Sequence, residues 1–383
     1  MFDLPQARLA CSLSLLAICA AFLGGCRQLS PDSQASFAPG AALSEDAAVA
    51  ADLQQSLTVF LEALARGEWS AACTDPAERE RYAFFYKSLL KGARDARPLV
   101  LKSYPLGGGA HSVSLAFMGG APEALSITRI VELEAVPFGD GFRFQCPYER
   151  RTAQLQRRTL GSVEFRFSGP FDEARAAEFV RLKTKIETLQ GIDPVALRYD
   201  CFPSLEGLLQ AYGLVFDASK CNFLLHDLGF LWDQGRSFST GTGDERFSFG
   251  YVHDVLAAQT ATPKEVFRPY VNGVAAYYGG YGLSGDSMEV LASQFRAELE
   301  RRPDMDFLEE FHKGRGASVQ RHFSQYVLCA FLCQEIVAMK GEAAALRLVN
   351  SGANGERFFA ELEALIGVSE ANFHASILRL IGA

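Results

Sequence analysis

The sequence predicts an α+β protein of two domains behind an N-terminal export segment. Three observations carry this: a single uncharged apolar run at residues 9–23, a helical stripe followed by period-two alternation, and a strand–helix alternation that ends in an entirely helical C-terminus. The chain of 383 residues is 49% hydrophobic and 21% charged, enough for two globular domains and too apolar for disorder. Its 37 Lys+Arg stand against 45 Asp+Glu, a net charge of −8, so no basic surplus remains for a phosphate-binding face and nucleic acid is not an expected partner.

Residues 9–23, LACSLSLLAICAAFL, follow Arg8 and precede small residues, the layout of a secretory signal peptide too short to span a bilayer. The run closes in Leu23-Gly24-Gly25-Cys26, which resembles the lipobox of bacterial lipoproteins. The resemblance implies removal of residues 1–25, acylation of Cys26, and an envelope location facing the periplasm or the cell surface. Each buried methylene contributes roughly 0.8 kcal/mol, so several acyl chains would anchor the protein stably where one would not. Arg27, rather than Asp, after the cysteine leans towards the outer membrane by similarity to enterobacterial sorting. Residues 26–48, rich in Ser, Ala, Pro and Asp without a hydrophobic period, read as a flexible tether.

Beyond Cys26 the cysteines are Cys73, Cys146, Cys201, Cys221, Cys329 and Cys333, in what would be an oxidising compartment. Cys73–Cys146 and Cys201–Cys221 would each lie within one predicted domain and are the candidate bridges. Cys329 and Cys333 sit four apart on a helical stretch, near the geometric limit for a bridge, and are expected as thiols. No pair has CxxC spacing, so neither a redox motif nor a thiolate zinc site is indicated.

The first domain is expected at 49–157. Leu53, Leu57, Phe60, Leu61 and Leu64 form the stripe of an amphipathic helix closed by Gly67, and Tyr82, Phe85, Tyr86 and Leu89 mark a second helical region. Val113, Leu115 and Phe117, then Val131, Leu133 and Ala135, alternate as strands; Phe138-Gly139-Asp140-Gly141 is a turn, and Phe142, Phe144 and Cys146 continue the alternation. The segment FLEALARGEWSAAC, Phe60 to Cys73, and the element order resemble the NTF2-like (SnoaL-like) fold, which implies a long helix across a curved antiparallel sheet and an accessory or ligand-cup role.

The second domain is expected at 158–383, with an α/β part to residue 258 and a helical part from 259. Val163, Phe165 and Phe167 face one side of a strand, and Phe179, Leu182, Ile186 and Leu189 stripe a helix. A short strand follows at Val195 to Tyr199, then a helix start at Pro203-Ser204 and further helices to Asp254. From Asp304 the pattern is helical, with Gly341 and Gly367 at expected C-caps.

The order of these elements, with FSFGYVHDVLAAQ (Phe247 to Gln259) and VNGVAAYYGGYG (Val271 to Gly282), resembles the gluzincin, or peptidase MA-like, zinc peptidases over roughly residues 160–383. In that family an HExxH helix supplies two imidazoles and a general base, and a Glu in a segment like EGxAxYxxG supplies the third ligand. Here Phe249 holds the first His position, Gly250 the Glu position and Asn272 the third-ligand position; only His253 remains. Phe and Gly cannot coordinate zinc, and an Asn amide is a poor ligand. The resemblance therefore implies a metal-free pseudoenzyme, more a binder or scaffold for a peptide or protein than an enzyme, with Tyr277 and Tyr278 as candidate cleft residues.

The alternative is an active zinc metallopeptidase with non-standard ligands, His253 joined by His226, Asp227 or Asp254; a third reading is a structural lipoprotein that has lost the cleft. Restoring Phe249→His, Gly250→Glu and Asn272→Glu together is expected to bring back zinc binding, provided the backbone keeps those positions within coordinating distance. Gly241-Thr242-Gly243 and Gly107-Gly108-Gly109 lack the Lys-Ser/Thr of a phosphate loop and read as turns.

Overall fold

The computed structural model describes residues 36–38, 41–66, 74–83, 85–87, 89, 96–119, 126–218, 229–233, 235–258, 268–281, 285–313, 319–351 and 355–382. The expected signal segment, Cys26, Cys73, Cys221, His226 and Asp227 lie outside the described residues. The protein is α+β, with two sheets and a set of C-terminal helices. Among the described residues no helix is long and apolar enough to cross a membrane. The chain divides into two compact units, Met1–Tyr148 with Tyr212–Cys221, and Glu149–Ala211 with Asn222–Ala383.

In the first unit, β1 (Ser36–Phe37) pairs in parallel with Leu99 and Val100 of the next strand. The stretch expected to be tether throughout is thus held at β1, at buried Leu43, and at Asp46, whose carboxylate accepts from the Ala48 and Val49 amides to start α1 (Ala47–Ala65). The predicted stripe of α1, Leu53 to Leu64, is buried. After α2 (Pro76–Arg81), strands β2 (Arg97–Gly107), β3 (Ala110–Gly119), β4 (Ser126–Phe138) and β5 (Gly141–Gln145) form an antiparallel meander. The alternating Val113, Leu115, Phe117, Val131, Leu133 and Ala135 are fully buried. Strand β2 has no sequence counterpart in the prediction: Pro98 and Pro105 break its pattern, and such prolines are tolerated near a sheet edge.

The second unit begins with α3 (Tyr148–Thr152), apart from Tyr148 itself, and continues through β6 (Gln156–Leu160), β7 (Val163–Phe167), α4 (Glu173–Gln190), β8 (Leu197–Cys201) and α5 (Leu205–Ala211). The predicted boundary after residue 157 falls inside β6, which pairs with β7 along its length and so belongs to the second sheet. Helix α4 is capped by Asp172 and ends at Gly191 with φ 65°, the left-handed conformation that glycine supplies. Arg166 and Asp200 make a buried bidentate pair between β7 and β8, with Nε–Oδ1 2.5 Å and Nη2–Oδ2 2.8 Å.

Helices are expected over residues 214–240, but the described residues of this stretch form three short strands. The first, β9 (Leu214–Asp217), belongs to the first unit, where it pairs antiparallel with β4 and places the Asp217 carboxylate 2.6 Å from the buried Arg129 guanidinium. The others, β10 (Gly229–Trp232) and β11 (Ser237–Thr240), complete the second sheet in the order β10-β11-β8-β7-β6. Strands β7, β8 and β11 are parallel, while β10 runs antiparallel on the edge.

The helices that follow are α6 (Phe249–Ala258), α7 (Arg268–Gly279), α8 (Met288–Arg301), α9 (Phe307–Lys313), α10 (Val319–Lys340), α11 (Glu342–Leu348), α12 (Gly355–Ile366) and α13 (Phe373–Ile381). Helix α10 packs along α7, and Gly273 makes this possible: a Cβ there would overlap that of Cys329 and lie 2.8 Å from the Ala330 amide. The expected C-cap glycines Gly341 and Gly367 have φ 82° and 72°.

Candidate functional site

Helix α6 carries Phe249, Gly250 and His253, and its start is fixed from three sides. From β8, the fully buried Tyr199 hydroxyl lies within hydrogen-bonding distance of the Asp244 and Phe247 carbonyls, at 2.9 and 3.0 Å. From α7, Gly279 comes so close that a Cβ there would lie 2.7 Å from the Phe249 amide and 2.9 Å from the Ser248 carbonyl carbon. From β10, the Gly229 carbonyl oxygen abuts Gly250: a Cβ at 250 would overlap that oxygen and lie 3.0 Å from its carbon. The first turn of α6 is therefore wedged, backbone against backbone, between the edge strand and α7.

The side chains follow the same arrangement. Phe249 is buried, its ring stacked 6.1 Å from Tyr326 and 6.4 Å from His253 and set edge-on 6.3 Å from Tyr281. Phe249 is thus part of an aromatic core. His253 is 23% exposed, and its Nδ1 is 2.9 Å from Asp254 Oδ1. The other Asp254 oxygen accepts from the Leu231 amide at 2.8 Å, so the carboxylate bridges the imidazole to the outer edge of β10. Both Asp254 oxygens already have partners, which lowers its value as a recruited metal ligand. Asn272 is half-buried on α7.

The candidate cleft tyrosines have other neighbours. Tyr277 and Tyr278 meet edge-on at 4.8 Å, and the Lys185 ammonium lies 5.2 Å over the Tyr278 ring while pairing with Glu342 at 2.5 Å. Those contacts involve α4 and α11, whereas the rings around Phe249 are Tyr281, Tyr326 and His253. Among the described residues, no group of three or more His, Cys, Asp or Glu could hold a metal ion.

Of the bridge candidates, Cys146 is buried with its sulfur 3.7 Å from the Tyr212 carbonyl, and Cys201 is buried in the second unit; Cys73 and Cys221 are outside the described residues. Burial pushes the Cys201 thiol well above its ordinary range, reinforced by Glu245 and Asp244. Cys329 and Cys333 are fully buried free thiols on α10, and burial raises both, so neither is poised as a nucleophile.

Sequence reasoning missed Gly229, Leu231 and Tyr326. For the first two a signal existed: GFLW and SFST flank the four residues Asp233-Gln234-Gly235-Arg236, a hairpin spacing in which Asp233 and Gly235 take φ 52° and 82°. No known family model matches this chain, and neither does any curated protein sequence.

Proposed function

We propose that this is a lipid-anchored bacterial envelope protein whose second unit is a non-catalytic, zinc-peptidase-like scaffold that serves a peptide or protein partner. The observation that supports the non-catalytic reading best is the contact between Gly250 and the Gly229 carbonyl. A general base at position 250 has to project from α6 towards a water and a scissile bond. Here the direction of that Cβ is filled by the backbone of β10, and the preceding position is filled by the ring of Phe249. A side chain larger than hydrogen at 250 would part the helix from the strand. The anchor half of the proposal is carried by the Leu23-Gly24-Gly25-Cys26 motif.

This geometry revises the expectation for the restored motif. Phe249→His, Gly250→Glu and Asn272→Glu together should give a destabilised chain without tight zinc binding, because the new carboxylate displaces β10 before any metal is bound. Zinc content by elemental analysis and melting with and without chelator read this directly. Stoichiometric zinc in the unmodified protein, lost on His253→Ala, would establish the metallopeptidase with non-standard ligands instead.

A further inference from the structure

The place where the chain joins the first unit limits how far that unit can stand from a membrane. If Cys26 carries the lipid, as the proposed function holds, the path to Ser36 is ten residues, which fully extended span at most about 35 Å. At Ser36 the chain is captured by the sheet, with Ser36 against Leu99, Phe37 against Val100, and the Ala38 amide donating to the Val100 carbonyl at 2.9 Å. Without that capture the covalent reach to the start of α1 would be about twice as long. Strand β1 therefore sets the stand-off, and it does so at one particular edge of the sheet.

That edge has a suitable surface. Strand β2, which receives β1, exposes Arg97, and the Lys102 side chain is 61% exposed with its ammonium 5.5 Å over the ring of Tyr104, itself 37% exposed. Lysine stems and tyrosine rings pair an apolar body with a polar end, which suits the headgroup layer, and cations near anionic lipid each contribute roughly 1 kcal/mol. Among the described residues the ammonium's carboxylate partner is Glu132 of β4, reached across the sheet face with Oε1 at 3.8 Å, a separation loose enough to be exchanged for a lipid phosphate. The opposite edge, four strands or about 19 Å away, ends in the β4–β5 turn with exposed Phe138 beside Arg143. It has related chemistry but lies farther from the point of attachment.

We infer that the β1–β2 edge of the first unit, with Arg97, Lys102 and Tyr104, is the face that rests on the lipid headgroups. The test uses the whole mature chain in a Cys73→Ser, Cys221→Ser background with a fluorophore on Lys102→Cys or on Asp140→Cys. Each is bound to phosphatidylethanolamine vesicles containing a minority of phosphatidylglycerol and a headgroup-nitroxide lipid. One arm uses acylated protein; the other replaces the acyl groups with a histidine tag at residue 26 on nickel-chelating lipid, which preserves the tether length. Quenching several-fold stronger at 102 than at 140, reduced by Arg97→Glu, is expected in both arms.

Equal quenching, or stronger quenching at 140, overturns the inference. Absence of acyl-Cys26 by mass spectrometry overturns the anchor reading instead, and the tagged arm still reports the edge. Hydrogen exchange of the unlabelled tagged chain is the check that needs no cysteine variant: vesicles should slow exchange in Leu101–Gly107 more than in β5, and the reverse order refutes the edge.

Discussion

The two turns of α6 are built in opposite ways. The first, with Phe249 and Gly250, is sealed: one ring is buried among aromatics and one Cα is pressed against the β10 carbonyl. The second, with His253 and Asp254, keeps polar side chains at the surface, but they are tied to each other and to the Leu231 amide rather than left open. A catalytic helix must project its reactive groups from both turns into one shared space. This helix uses its first turn as core and its second as a cap for a sheet edge, and it is on this contrast that the proposed scaffold reading rests.

Removing the ring at the first turn should have the largest effect. Phe249→Ala leaves an aromatic-sized void beside Tyr281 and Tyr326 and should lower stability by about 4 kcal/mol, measured by chemical denaturation. A loss under about 1 kcal/mol would mean that the position is far less filled than described, and the contrast would break.

Gly250→Ala comes next. A methyl group there meets main chain, which cannot rotate away, so overpacking should cost about 2–3 kcal/mol despite the better helix propensity of Ala. If the variant is instead more stable than the parent, α6 and β10 are separable and room exists for a base. The smallest effects belong to the second turn. Asp254→Ala strands the Leu231 amide and should cost about 1 kcal/mol, whereas His253→Ala should cost about 0.5 kcal/mol or less. A histidine effect that exceeds the aspartate effect would show that the imidazole has a partner beyond Asp254 and the Phe249 ring.

What was legible in the sequence was what local periodicity encodes. The stripe of α1, the meander from Val113 to Phe144, the strand at Val163 and the helical setting of Cys329 and Cys333 repeat a pattern over several residues and could be read without knowing their partners. Strands β9, β10 and β11 are four residues each, too short to show a period of their own, so the sequence there predicts helices. Strand β2 was hidden by its prolines. The identity of the residues at 249, 250 and 253 is plain in the sequence, but their consequence is not. Whether Gly250 left a gap or allowed a contact depended on Gly229, twenty-one positions earlier and on another element. Likewise Tyr326, on α10, could be joined to Phe249 only through the packing of the helices.

Strand β9 also bears on the order in which the protein can be completed. Because a strand of the first sheet is encoded after much of the second, a chain that emerges N-terminus first must have residue 217 available before the first unit can close. Until then the buried guanidinium of Arg129 has no Asp217 to neutralise it, and the lower half of β4 remains an open, adhesive edge. No single cut therefore separates the two units cleanly. A fragment ending at residue 157 would be a first domain by sequence but an unfinished one by topology, and its natural escape would be to borrow the missing strand from a neighbouring molecule.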